Sequence, residues 1–142
     1  MNRGQKLALV LLVLLGLVLR WSGLESRGLW WDELYSVVSS SRSPSLGALW
    51  ENWMVDDSHP PGFQLFLWFW FKVVPANEFW SRVPSAVAGS LTLVYGAVAF
   101  KDVLSPRGRL FWTAMVGCAY LPVYYAQEAR QYAIVMLGGT IL

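Results

Sequence analysis

The sequence predicts an all-α protein built around membrane-embedded helices, and three observations carry that reading. Charged residues make up 14% of the 142 residues, against about 25% in ordinary globular chains. Hydrophobic residues make up 56%, and mean hydropathy is +0.42. Long uncharged runs recur along the chain, two of them 18 residues in length. So many aromatic side chains with so few charges exclude disorder. Cys118 is the only cysteine, which excludes an internal disulfide framework. One Cys and one His cannot supply a structural zinc site. Net charge +2 without a basic patch argues against a nucleic-acid partner.

The first run, Leu7–Leu19, is preceded by Arg3 and Lys6 and extends to Leu24 if Arg20 snorkels or faces protein. A secretory signal peptide has this pattern, but no A-x-A-like cleavage site follows, and a signal-anchor helix near 7–24 is expected. Trp21 then lies at the level of an interfacial aromatic. Val83–Phe100 and Leu110–Gln127 meet the length test for membrane spans. Residues 131–142 begin a further apolar run of 12 residues, too short to span, so the chain reads as one membrane-embedded module, 1–142, of a longer protein. Segment 61–74 is uncharged for only 11 residues, Pro61–Phe71, and is dense in Phe and Trp, as re-entrant or interfacial segments are. In the intervening loop, Trp31–Ser41 has modest amphipathic spacing. Ser43 or Ser45 is placed to cap a helix over Leu46–Val55, with Leu46, Leu49, Trp50 and Trp53 on one face. Pro84 and Pro122 are expected to kink or start helices, and Cys118 to pack.

Charge sets the orientation. Arg3 and Lys6 before the first helix, and Lys101, Arg107 and Arg109 between the two best spans, are cytoplasmic by the positive-inside rule. Residues 25–60 carry six acids and two bases and read as external. The N-terminus is then cytoplasmic, and the protein is multi-pass, in the plasma (inner) membrane if prokaryotic. Parity requires that 61–74 not complete a crossing. It also brings Glu128, Ala129 and Arg130 to the external side, with Asp32 and Glu33.

Several polar residues stand out at these boundaries. Trp30-Trp31-Asp32-Glu33 sets adjacent carboxylates at the membrane edge. Neighbouring side chains point different ways, so one acid is free for a site while the other caps a helix or pairs with a base. His59, the only histidine, precedes two prolines that force an extended entry to a helix; it is a turn residue, a phosphate contact or a metal ligand, though one His alone is a weak metal signal. Arg82 opens the second clear span in Arg82-Val83-Pro84-Ser85. Arginine here is a snorkelling anchor or a planar fork for phosphate. Glu128, Arg130 and Tyr132 follow a long apolar run, as an ion pair or as functional groups. One His and scattered acids do not indicate a divalent metal, and the cofactor is unknown.

The order of these signals resembles the N-terminal portion of the GT-C membrane glycosyltransferases. The group concerned holds protein O-mannosyltransferases, aminoarabinose transferases and lipopolysaccharide galacturonosyltransferase-like enzymes. Trp31-Asp32-Glu33, His59-Pro60-Pro61, Arg82-Val83-Pro84-Ser85 and Glu128-Ala129-Arg130-Gln131-Tyr132 carry the resemblance, from Leu7 to the end. It implies transfer of a sugar from a polyprenyl-phosphate donor to an acceptor lipid, glycan or protein on the external (periplasmic or luminal) face. It assigns the catalytic base to Asp32, with Glu33 as second choice or support. His59, Arg82, Glu128, Arg130 and Tyr132 become substrate-binding residues, and the aromatic segment at 61–71 bounds a groove for the lipid tail. Two other readings stand beside it: a non-enzymatic or partner-dependent membrane bundle, and a transporter fragment. The latter usually carries polar groups or broken helices at mid-membrane.

Overall fold

The computed structural model describes residues 1–55, 57 and 59–142. Among these residues the regular structure is entirely helical. α1 (Arg3–Trp21) starts with reciprocal caps: the Asn2 side chain accepts from the Gln5 backbone N–H at 2.9 Å, and Gln5 Oε1 accepts from the Asn2 N–H at 3.0 Å. The chain leaves α1 through Gly23 at φ +75°, a left-handed turn that favours glycine. α2 (Trp31–Arg42) turns Ser36, Val37, Ser39 and Ser40 inward. α4 (Gly62–Trp70) packs on it, with Ser40 Oγ donating to the Gln64 carbonyl at 3.0 Å and the Trp68 indole to the Ser43 carbonyl at 2.9 Å. Nine residues give α4 a length of about 14 Å. That is half of what a hydrocarbon core requires, roughly 30 Å.

Between α2 and α4 lies a short helix, α3 (Leu46–Leu49), capped by Ser45 Oγ on the Ala48 N–H at 3.1 Å. It runs into a π-helical turn, Trp50–Met54. That turn corrects the expected face. The Val55 N–H reaches back five residues to the Trp50 carbonyl, so Leu49 and Met54, five apart, both point inward. Trp50 and Leu46 are left exposed.

α5 (Glu78–Ala99) is the central helix, in contact with α1, α6, α7 and α8. Pro84 sits inside it and cannot bond the Trp80 carbonyl. The Trp70 indole N–H, from the end of α4, donates to that carbonyl at 2.8 Å. The run 110–127 is not one helix. α6 (Pro106–Cys118) and α7 (Tyr120–Ala126) are separated at Ala119, whose ψ is 150°. Pro122 is the cause, since it has no N–H for the Cys118 carbonyl and its ring would clash there. α8 (Tyr132–Ile141) closes the bundle against α5. Cys118 is exposed rather than packed.

The helix ends opened by these breaks find partners on other helices. Arg20, buried on α1, donates to the Gly117 carbonyl at 3.0 Å and to that of Val116, in the last turn of α6. Gln127 Nε2 donates to the carbonyls of Ser22, at 2.9 Å, and Leu19, at the end of α1. Arg109 reaches the Ala97 carbonyl near the end of α5. Each side chain satisfies C-terminal carbonyls that have no intrahelical donor. α1 and α6 touch through glycine: a Cβ at Gly16 would lie 2.9 Å from the Gly117 Cα and 2.6 Å from Leu93 Cδ2.

The buried set is mixed: Leu24, Leu49, Phe63, Leu67 and Leu93 are enclosed together with several charged side chains. Arg20, Glu33, Gln64, Arg82, Glu128 and Arg130 are buried, while Leu7, Leu11, Val18, Leu91, Val98, Phe111 and Val135 are exposed. α1 is the helix that is long and apolar enough to cross a membrane, with a mean hydropathy of 1.7; among the described residues no other meets both conditions. The expected span at 83–100 overlaps the 22-residue α5 except for its last residue, the C-cap Phe100, and that at 110–127 is divided.

Candidate functional site

The site forms where the N-terminus of α2, the loop before α4 and the segment between α7 and α8 meet. Its foundation is Arg82, fully buried on α5. Arg82 Nε donates to Glu33 Oε1 at 2.8 Å and Nη2 to Glu33 Oε2 at 2.7 Å, a bidentate pair. Its remaining donors go to the carbonyls of Leu24, Arg27 and Gly28, at 2.6, 2.9 and 3.0 Å. A guanidinium has five N–H donors, and all five are in use. Arg82 therefore has none left for phosphate, and its expected substrate contact is corrected to a brace for the loop between α1 and α2.

Glu33 is likewise corrected from the catalytic pair. Besides Arg82, it accepts from the Ala129 backbone N–H at 2.8 Å and the Trp30 N–H at 3.3 Å. It caps α2 and pairs with a base at once. Through Ala129 it also ties α2 to the segment that carries Arg130. Removing one member of such a buried pair costs about 3–5 kcal/mol, because the other charge is left uncompensated.

Asp32, one residue earlier, points elsewhere. Its backbone carbonyl accepts from Ser36 Oγ and Arg130 Nη1, and its carboxylate makes no hydrogen bond among the described residues. Asp32 lines a cleft of about 320 Å³ together with Trp31, Tyr35, Asp57, His59 and Arg130. Arg130 Nη1 also donates to Ser36 Oγ at 3.1 Å, while Nε and Nη2 are buried without an acceptor among the described residues. Buried unpaired donors cost about 1–3 kcal/mol each, more when charged, unless an acceptor reaches them.

Asp57 is a cleft residue that the sequence reading passed over. Its Oδ1 accepts from the His59 backbone N–H at 2.9 Å and lies 2.8 Å from His59 Nδ1; Gln64 Nε2 donates to Oδ2 at 3.2 Å. Burial pushes the Asp57 carboxyl up. The hydrogen bonds from the His59 backbone and ring, with the charges of His59 and Arg130, outweigh it and hold the group below the ordinary carboxylate value. The signal was present in the sequence: an acid two residues before His-Pro-Pro is placed for an Asx turn.

Glu128 and Tyr132 do not line the cleft. Glu128 is buried, and among the described residues neither carboxyl oxygen is seated in a well-formed hydrogen bond. Burial raises its pKa; the Tyr124 hydroxyl beside it acts the other way, the Glu33 charge adds to the rise, and Arg27 and Arg130 oppose it. Tyr132 packs on the Tyr125 ring at 4.8 Å and under the Arg130 guanidinium at 5.9 Å. In this structure both side chains support the 128–132 segment, apart from the cleft lining.

A second cavity is apolar and about 360 Å³. Pro60, Phe63 and Phe66 form one wall, and Gln131, Ile134 and Val135 the other. Its walls continue those of the cleft through consecutive residues, His59–Pro60 and Arg130–Gln131. Among the described residues, no three His, Cys, Asp or Glu side chains are gathered as a metal site.

No protein-family model, curated protein or solved structure matches the chain.

Proposed function

We propose that this chain is the N-terminal module of a multi-pass membrane glycosyltransferase of the GT-C type, which transfers a sugar from a polyprenyl-phosphate donor at the external membrane face. One observation carries the proposal. The Asp32 carboxylate and the buried Arg130 guanidinium, the first without a hydrogen bond and the second with two nitrogens unpaired among the described residues, line one cleft, and residues next to them in sequence line an apolar groove. A carboxylate to take a proton, a cation for a phosphate and a trough for a hydrocarbon tail are what such a donor requires. The burial of Arg20, Arg82 and Arg130 beside exposed apolar side chains on α1, α5 and α8 supports a multi-pass reading.

The acceptor's oxygen or nitrogen attacks the anomeric carbon and forms the new bond. The bond from that carbon to the phosphate oxygen breaks, and its electron pair leaves on the phosphate. The acceptor's proton passes to Asp32. Phosphate leaves readily, so the demand on that side is for fixed positive charge, which Arg130 supplies with His59 beside it. A single carboxylate then suffices, unlike the pair that glycosidases typically use.

The rival reading, a non-enzymatic bundle, draws support from the closed Glu33–Arg82 pair. Asp32→Asn separates the two. Transfer from a radiolabelled polyprenyl-phosphate sugar, measured with the protein in its own membrane, should fall about 10²–10⁴-fold, as loss of a general base does. Insertion and folding should be unchanged. Near-normal transfer by Asp32→Asn would overturn the assignment.

A further inference from the structure

We propose that Asp57 is a positioning residue, which fixes the His59 ring with Nδ1–H on its carboxylate so that Nε2 is presented to the cleft as a second contact, beside Arg130, for a phosphate ester. The identity of the ligand rests on the transferase reading; the geometry does not.

Asp57 Oδ1 takes two donors from one residue, the His59 backbone N–H at 2.9 Å and the ring Nδ1 at 2.8 Å. One oxygen thus sets both the path of the chain and the angle of the ring. The other oxygen is held by Gln64 on α4, so the carboxylate itself is anchored to a helix. The side chain of Asp57 is only 9% exposed and that of His59 is 42% exposed, so the ring stands at an open edge while its anchor is enclosed. With Nδ1 engaged, Nε2 is the nitrogen left for a ligand. In the doubly protonated ring it donates, as a phosphate oxygen requires. The arrangement matches the outer partner of a metal-bound histidine, where a carboxylate fixes the ring for a ligand on its far side.

His59 is the only histidine, so 15N-histidine labelling of the detergent-solubilised protein gives one pair of ring resonances. The wild type should show Nδ1 protonated and hydrogen-bonded. Asp57→Asn should shift that resonance. Gln64→Ala, which leaves the turn intact, should shift it less. Helix content by circular dichroism checks that each variant is folded. Farnesyl phosphate should move the Nε2 resonance of the wild type, and Asp57→Asn should weaken its binding about tenfold. An Nδ1 resonance indifferent to both substitutions would overturn the positioning role. A ring that responds to Asp57→Asn but not to bound farnesyl phosphate would overturn the phosphate contact. Failure of the transferase reading itself shows separately, as wild type that transfers no sugar while its ring still responds to Asp57→Asn.

Discussion

Asp32 and Glu33 are adjacent in sequence yet lie in different environments, one at a cleft and one locked to Arg82. That the two must diverge is legible from helical geometry alone. Which of them diverges inward is not, because the decision belongs to Arg82, 49 residues away. Glu128 is the costlier feature, a buried carboxyl without a well-formed hydrogen bond. Its pKa is raised, so the folded protein holds this proton more tightly than the unfolded chain does. Stability therefore falls as pH climbs from the ordinary glutamate value of 4.5 through the higher folded value, and stays reduced above it. Glu128→Gln should raise the melting temperature at neutral pH and flatten this slope, as measured by thermal unfolding in detergent between acid and neutral pH. A variant less stable than wild type at neutral pH would show that the charge is compensated.

Among the elements, the contact between α1 and α6 is set by backbone proximity. A methyl group at Gly16 meets the Gly117 backbone, which cannot move aside as a flexible side chain can. Gly16→Ala should destabilise the protein by about 1–3 kcal/mol, the usual cost of overpacking. At Gly139 an added Cβ meets nothing within 4 Å, so Gly139→Ala should be neutral or slightly stabilising in the same denaturation assay. The helices were largely legible: α1, α2 and the Ser45 cap follow from apolar spacing and capping residues. The division of 110–127 was only half legible. Pro122 announces a disturbance, but a break needs other donors for the freed carbonyls, and Arg20 supplies two of these from α1. The π-helical turn was not legible, since a spacing of three and four looks the same until tertiary packing selects five.

For the whole molecule, the predicted meeting of Asp32 and Glu33 with residues 128–130 appears as direct hydrogen bonds, and α4 is too short to cross a membrane. The proximity of these residues is what the contacts give; the side of the membrane assigned to them from charge and parity remains part of the proposal. The proposed orientation can be read with an impermeant maleimide on intact cells, in a Cys118→Ser background. Ser26→Cys and Glu51→Cys should label from outside, and Asp102→Cys only after permeabilisation. External labelling of Asp102→Cys would refute the arrangement of α5 and α6.

The capping of α1 by Gln127 has a consequence in time. The donor lies 108 residues beyond the Leu19 carbonyl it satisfies. A ribosome adding about 5–20 residues per second needs roughly 5–20 s to cover that stretch. Throughout this interval the end of nascent α1 lacks Gln127, and Arg20 lacks its carbonyls on α6. Until then the Leu19 carbonyl has only the Ser22 hydroxyl, and the packing of α1 on α6 and α7 is completed late, when those helices have been made.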